Sequence, residues 1–523
     1  MPLKPLFAEG QFIWKLRTIH AANNPGQAFN GYQSEGNFVR GKRFSITMDQ
    51  ENRNILKNLG AVMLMAALNS LCFSSLQSLQ SSFNSSDGLG LASLSCMYAA
   101  GVVSTLLLAP VMNRRLGLKT TMIIGSLSIG VYAVSNFFPR FEIIIPLALL
   151  CGLGINPMWT AISTYLNTLA SKKARLTSQT TEGLTNRYLA LTQMSWQISY
   201  VVSTFLVSKV LAVTMTGSED NIFTGRNFSL GRCGARDCGA EIPEEATGAV
   251  EAPRQIIWIF LGCFSACGLV FSPLVLVIFL DPMKPNLYST VSKDDAEMSE
   301  KEVVTVKEGA TSDAGWLAVL RALKEPHLLM LMPLAFFSGV HFSFVMGDFT
   351  KSYVNCTQGI HAVGYVIMAF ASADAIGNLA IGLIRQYVGR VMFITISGAH
   401  TLAVLVVCLV WDPETGEVWH LYAIAVLFGY GDAVWQLQTR VFISVLYPDN
   451  PGPAFSAYYF CIFCGLTASF AVSIPSSVCV SYKLYSIISL LLVSVSLYYV
   501  VEIRLKREQR AKTCGGKTEE IGM

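Results

Sequence analysis

Two stretches carry the reading of this chain: Leu150-Cys-Gly-Leu-Gly-Ile-Asn-Pro-Met-Trp159 and Leu427-Phe-Gly-Tyr-Gly-Asp-Ala-Val-Trp435. Each has an apolar lead-in, a Gly-x-Gly and then a Trp, and the two differ by one residue in spacing. A bilayer core about 30 Å thick is crossed by about 20 apolar residues rising about 1.5 Å each. Working outward from the two stretches, segments free of Asp, Glu, Lys and Arg run over 58–86, 88–113, 120–139, 143–171, 188–208 and 255–280. They resume over 326–347, 352–373, 391–411, 418–431, 450–482 and 484–501. The eighth continues apolar past Asp374, and the tenth continues past Asp432 to Thr439. Such runs are helices, because a helix satisfies its own backbone polar groups in lipid. A transmembrane barrel would instead show alternating segments of about ten residues.

The expectation is an all-α membrane protein with twelve transmembrane helices, and its matched stretches fall in the fourth span of each set of six. That is the pattern of a duplication. A seven-helix receptor is excluded by the count. The 523 residues are 52% hydrophobic and 14% charged, against roughly 25% charged in soluble domains. Too little charge remains to coat a soluble enzyme, a nucleic-acid binder or a disordered scaffold. No nucleotide loop, metal cluster or nucleophile elbow is found, so neither an enzyme, nor a cofactor, nor a metal is expected. The organisation read from the sequence is a polar leader 1–53, a first six-helix bundle 54–280 with an outer loop 212–253, a linker 281–326, a second bundle 327–501 and a tail 502–523. No secretory signal is visible.

Twelve spans put both termini on one side. Placing them in the cytosol collects most of the 38 Lys and Arg there, as the positive-inside rule requires. The other side keeps Arg140, Lys209, Arg226, Arg232, Arg236, Arg254, Lys351 and Lys483. Three Asn-x-Ser/Thr acceptors, at Asn84, Asn227 and Asn355, all fall in loops assigned outside, and Asn227 in the long loop is the best placed. Cys233 and Cys238 sit in that same loop, where a disulfide between them is expected, with Cys356 or Cys479 as rival partners. Cys461-x-x-Cys464 lies in an apolar span without a second pair and reads as packing.

Polar side chains are unevenly spread. Spans one, four, five, seven, eight and ten hold Asn69, Gln77, Asn156, Gln193, Gln197, His341, Asp374, Asp432, Gln436 and Gln438, whereas spans three, six and twelve hold no charge. An ionisable group in lipid is costly and faces a cavity or a partner. Asp432, Asp374 and His341 are therefore candidates for an ion or proton site. The competing reading is a structural carboxylate bonded across a helix contact or to Arg440. Trp159 and Trp435 either line the cavity or pack beside it. Gly429-Tyr-Gly-Asp432 resembles a potassium filter, but it lies within a continuous span, and close helix packing through small residues accounts for the glycines.

Two basic turns also match: Arg114-Arg115-Leu-Gly117-Leu-Lys119 and Arg385-Gln-Tyr-Val-Gly389-Arg390. They resemble degenerate copies of the loop motif of the major facilitator superfamily. Gly382 keeps the opening glycine of that motif, Pro110 replaces it, and the acidic residue is absent from both copies. Leu76-Gln-Ser-Leu-Gln-Ser-Ser82 with Gly88-Leu-Gly90 resembles the end of span one in the unc-93 family, a divergent branch of that superfamily. Gly152-Leu-Gly154 with Pro157 and Trp159, and Gly431-Asp-Ala-Val-Trp-Gln436, are similar to its spans four and ten. The resemblance is closest to the homolog A type and covers about Ile55 to Val501; such proteins usually begin where Met48-Asp49 stands, so residues 1–47 are a departure. It implies a multi-pass plasma-membrane glycoprotein. One relative is regarded as a regulatory subunit of a two-pore potassium channel, and another branch chaperones nucleic-acid-sensing Toll-like receptors. Three functions follow: a potassium-channel or potassium-homeostasis regulator, a solute or proton-coupled carrier working by alternating access, and a trafficking chaperone. The partners expected are the bilayer and a channel or other membrane protein, without nucleic acid. The missing acid of the loop motif tilts the reading from carrier to regulator.

Overall fold

The computed structural model describes residues 32–83, 89–138, 140–177, 179–215, 233–238, 254–283, 315–358, 360–385, 387–413, 418–448, 451–473 and 478–520. Every regular element among them is helical. In chain order these are α1 (Tyr32–Phe83), α2 (Leu89–Leu107), α3 (Ala109–Arg115), α4 (Leu118–Ser135), α5 (Phe141–Leu176), α6 (Thr181–Met215), α7 (Arg254–Ala266) and α8 (Ser272–Phe279). There follow α9 (Gly315–Lys324), α10 (Pro326–Phe344), α11 (Cys356–Gln358), α12 (Ile360–Ile384), α13 (Arg390–Val410), α14 (Val418–Leu446), α15 (Pro451–Ser473) and α16 (Val480–Glu520). π-helical stretches Cys267–Phe271 and Val345–Asn355 join α7 to α8 and α10 to α11. Residues 1–54 and 55–523 are separate compact units, and of the first only its part of α1 is described.

Among the described residues nine helical runs are long and apolar enough to cross a membrane, or ten when α2 and α3 count as one span. The 54° bend between those two falls at Pro110, whose ring cannot accept a helical neighbour one turn back and whose nitrogen has no proton to donate. Helices α6 and α14, 35 and 29 residues long, fall short of the apolarity and not of the length. They carry many of the polar side chains described below. Lipid exposure is written plainly on α7 and α8, where Trp258, Ile259, Val277 and Ile278 are all more than half exposed.

The matched glycines do the same work in both copies. A Cβ on Gly152 of α5 would stand 2.1 Å from the carbonyl oxygen of Met97 on α2, and one on Gly429 of α14 would stand 2.1 Å from that of Phe370 on α12. The second glycine of each pair faces a hydroxyl on a third helix: Gly154 meets Ser128 on α4, and Gly431 meets Thr401 on α13. Thus α5 packs on α2 and α4 as α14 packs on α12 and α13. The contact is backbone on backbone, which only glycine permits. This is the packing the sequence pointed to in place of an ion filter. A further reciprocal contact joins α10 and α15, where Gly339 faces the carbonyl of Ile462 and Gly465 that of Phe336.

Two boundaries differ from the sequence reading. Freedom from charge ends the seventh stretch at Gly347, yet the helical run continues to Gln358 and the next helix begins at Ile360. Asp348 can sit inside the helix because Lys483 Nζ lies 2.6 Å from its Oδ1 and Ser473 donates to the same carboxylate. The disulfide between Cys233 and Cys238 is also corrected. Cys233 is bonded to Cys356 and Cys238 to Cys479, the two rival partners. A single 3₁₀ turn, Gly234–Arg236, separates the two cysteines. Gly234 has φ +74° and seats against Pro413 and Tyr353. The turn is held further by Val480 N–H donating to the Asp237 carbonyl at 2.9 Å, by Ser352 on the Asp237 carboxylate at 2.6 Å and by an Arg236–Asp412 ion pair at 2.8 Å.

Peptide mapping of unreduced protein is expected to yield crosslinked fragments 233–356 and 238–479 and no 233–238 fragment. Alanine at Gly152 or Gly429 is expected to cost upwards of about 1–3 kcal/mol, since a backbone carbonyl cannot swing aside. Alanine at Gly60, where nothing lies within 4 Å of the added carbon, is expected to leave the detergent melting temperature unchanged.

Candidate functional site

A cluster of buried polar side chains joins α6, α10, α12 and α14. Asp374 of α12 is clamped on both oxygens: Gln197 of α6 donates to Oδ2, and Asn378, one turn along α12, donates to Oδ1 at 2.6 Å. Asp432 of α14 is fully buried and receives Gln436 Nε2, also one turn along its helix, at 2.6 Å on Oδ2. His341 of α10 places Nδ1 3.8 Å from Oδ1 of Asp432, and neither side chain has any exposure. Arg440 lies one turn beyond Gln436; its Nε donates to the Gln436 carbonyl at 3.0 Å and its Nη2 to Gln193 Oε1 of α6 at 3.2 Å. Tyr459 and Tyr458 of α15 stand beside the guanidinium, and Asp374 acts on it electrostatically. Gln438 Nε2 donates to Asn186 Oδ1 of α6 at 3.2 Å. The cluster is thus a set of charges whose partners come from neighbouring helices.

The structure divides the other sequence candidates. Trp435 is fully buried, edge-on to Phe337 at 5.5 Å, and its Nε1 has no hydrogen-bond partner. Trp159 packs tilted against Trp196 of α6 at 4.7 Å and stacks with Tyr459 of α15 at 6.4 Å. It is the one residue between Gly154 and Ala170 that is not buried, as Gln436 is between Gly431 and Ser444. Both are therefore partly accessible where their neighbours along the helix are not. Asn69 and Asn156 are not part of the acid cluster. Asn69 donates to Ser126 Oγ at 2.9 Å and to Met65 Sδ at 3.1 Å, knitting α1 to α4. Asn156 is buried with both amide atoms unpartnered, facing the space that Gly101 leaves. Asn378, Asn186 and Tyr459 were not singled out by sequence. Asn378 had a signal, since it follows Asp374 by four residues as Gln436 follows Asp432, the spacing at which side chains on one helix meet. The acceptors Asn84 and Asn227 lie outside the described residues, and Asn355 is exposed at the end of its helical stretch.

The basic turns find their acids elsewhere in the chain. Lys119 donates to the carbonyls of Val277 and Leu280 at 3.0 and 2.7 Å, capping the end of α8. Beside it Asp281 pairs with Lys57 at 2.8 Å, accepts from Asn58 at 2.9 Å, and takes the Tyr165 hydroxyl on its backbone carbonyl at 3.0 Å. Arg114 and Arg115 are exposed, and Gly117, at φ +82°, opens α4. In the second copy Arg385 and Arg390 both pair with Glu182 at the start of α6. Arg390 also pairs with Glu502 of α16 at 3.0 Å and lies 4.0 Å over the Phe442 ring. Gly382 brings α12 against Ala190 of α6, and Gly389 caps α13. In the second copy, then, Glu182 and Glu502 from other helices stand in for the acid missing from the motif, whereas in the first Lys119 is held by carbonyls and Asp281 beside it pairs with Lys57.

Partial desolvation pushes the Asp281 carboxyl toward a higher pKa, but the hydrogen bonds from Lys57 and Asn58 and the charges of Lys57 and Lys119 outweigh it, and the carboxyl titrates below its ordinary 3.8. A depressed folded value contributes stability that is fully present above 3.8 and is lost as pH falls through the lowered value. The melting temperatures of wild type and Asp281→Asn are expected to differ at neutral pH and to converge in that acid window. Glu502→Leu, which takes from a mostly buried Arg390 the nearer of its two carboxylates, is expected to cost about 1–3 kcal/mol, measured by thermal denaturation in detergent.

The family model described as "Ion channel regulatory protein UNC-93" matches residues 83–415. Protein unc-93 homolog A of Xenopus laevis is 30% identical over 474 residues, 90% of this chain and 98% of that protein. The Mus musculus homolog A is 31% identical over 457 residues, covering 87% and 94%. The Caenorhabditis elegans unc-93, named for potassium channel regulation, is 23% identical over 437 residues, 80% of this chain and 57% of its own length. Among solved structures, the Escherichia coli fucose:proton symporter, a major facilitator superfamily transporter, aligns with TM-score 0.53 at 12% identity over 86% of this chain and 98% of its own.

Proposed function

The chain belongs to the UNC-93 family of ion channel regulatory proteins, and on that premise we propose that it is a regulatory subunit acting on potassium channels or potassium homeostasis at the plasma membrane. It is a multi-pass, helical membrane protein with the major facilitator fold. The finer architecture belongs to the same reading: twelve spans in two six-helix bundles, termini in the cytosol, a linker over 281–326 and sugar on the outer acceptors. Helices α6 and α14 complete the twelve, their low apolarity reflecting the polar cluster that other helices bury. The family match across most of the chain carries the proposal. Two structural features suit a non-catalytic regulator: helices that hold one another through backbone contacts, and an outer turn stapled by two disulfides to the ends of α11 and α16.

A carrier is the second reading. It is favoured by the buried acid pair Asp374 and Asp432, the second of which accepts from the partly accessible Gln436. The two separate cleanly. Currents from a potassium channel expressed with and without this chain are expected to differ at equal channel surface level, while vesicles holding the purified protein alone take up no more solute than empty ones. Unchanged currents together with uptake into vesicles would make the protein a carrier. The same channel currents are expected to keep their modulation in Trp419→Ala, an exposed position remote from the cluster.

A further inference from the structure

We propose that His341 and Asp432 together bind a single proton inside the membrane. The starting point is the charge count of the cluster. Asp374 and Asp432 bring two negative charges and Arg440 one positive charge, all fully or almost fully buried. With His341 neutral, one negative charge is left uncompensated at low dielectric, where such a charge is among the most costly things a protein can hold. Water cannot cancel it; a proton can.

Geometry says where the proton goes. Asp374 is saturated, with a donor on each oxygen and Arg440 nearby. The guanidinium of Arg440 is engaged by Gln193 and the Gln436 carbonyl. Asp432 has its single donor on Oδ2, and its Oδ1 has no hydrogen-bond partner. Opposite that oxygen, 3.8 Å away, is a histidine whose two ring nitrogens are both buried and without hydrogen bonds. Phe337 and Phe428 flank the imidazole at 5.8 and 5.3 Å and leave Asp432 as its polar neighbour at ion-pair distance. The protonated ring carries a hydrogen on both nitrogens, so whichever tautomer the neutral ring holds, the added proton leaves Nδ1 a donor facing Oδ1 and gives the ring the charge the cluster lacks. It also converts the 3.8 Å gap, by a movement of about 1 Å, into a charge-assisted hydrogen bond.

Within the cluster Asp374, which Asp432 acts on electrostatically, is the one other place for the proton, and an imidazolium signature tells the two apart. From α13, His400 acts weakly on His341 and is itself bonded to the carbonyls of Ile396 and Leu427. From α15 come the hydroxyl of Tyr458, donating to the Gln436 carbonyl at 3.3 Å, that of Tyr459, bonded to Ser163 at 2.9 Å and close to Arg440, and the thiols Cys461 and Cys464. From α16 and the π-helical stretch come Lys483 and Asp348, paired with each other, and Glu502, paired with Arg390. Through Gln193 and Gln197 the cluster holds α6 against α12 and α14, so the proton sits where a change of charge alters the contact between helices far apart in sequence. None of this requires either reading of the biological role; proton binding belongs to the isolated protein.

The test is a proton count. Full-length protein in phosphatidylcholine nanodiscs is titrated in unbuffered solution between about pH 8 and pH 5, the range in which a histidine site fills. His341→Gln and Asp432→Asn are each expected to take up about one proton fewer per chain than wild type, and the double variant also one fewer rather than two, because a coupled pair titrates as a unit. Infrared difference spectra over the same range should lose an imidazolium band in His341→Gln and also in Asp432→Asn, which keeps the histidine. Should His341→Gln fail to fold, His341→Phe, matched to its aromatic neighbours, serves the same comparison. Equal proton uptake by wild type and either single variant, or an imidazolium band that survives Asp432→Asn, overturns the proposal.

Discussion

A charge surrounded by lipid and packed helices must be met by another charge, and that constraint governs where the helices of this protein touch. Asp281 meets Lys57 and draws α1, α5 and the end of α8 together. Asp348 meets Lys483 and ties the long seventh run to α16. Arg385 and Arg390 meet Glu182, while Glu502 takes the other side of Arg390. Each pair joins elements remote in sequence, so charge placement acts here as a set of addresses. At Asp348–Lys483 and Arg390–Glu502, whose side chains are nearly buried, removing one partner costs more than the pair contributes, because the remaining charge stays buried.

Much of this was open to reading in the chain itself, and the reasons are local. Helical runs free of charge announce themselves because lipid forbids unpaired backbone. The repeated Gly-x-Gly was legible because backbone contact leaves no choice of residue, and Gly152 and Gly429 fill identical roles at identical distances. Amide partners of the acids were legible too, being one helical turn away. What sequence did not fix were pairings across long separations. Cys233 and Cys356 are 123 residues apart and Cys238 and Cys479 are 241 apart, so nearness in the chain favoured the wrong pair. The helix past Gly347 was cut short for the same reason, since the lysine that neutralises Asp348 lies 135 residues on.

The same blindness shaped the functional reading. An acid absent from the basic turns looked like the loss of a working part. For the second turn the fold supplies carboxylates from α6 and α16 instead, which restores the electrostatics without restoring the motif. A motif is a local pattern, whereas the ion pair it serves is a distance in space. Degeneracy of the first is weak evidence about the second.

Against this economy of paired charges the His341–Asp432 contact stands apart. Elsewhere the described ion pairs lie at 3.4 Å or less; this one is at 3.8 Å, has no exposure, and is short of a donor. Stability alone gives no reason to keep such an arrangement, because a leucine and a methionine of similar bulk would bury without cost. Helix α14 even loses apolarity by carrying Asp432, Gln436, Gln438 and Arg440, and it relies on α6, α10, α12 and α15 to shield them. A fold that elsewhere uses charge to hold helices together has here placed charge where it can change. That difference, between a charge that is matched permanently and one that is matched conditionally, separates the scaffold of this protein from the part of it able to respond.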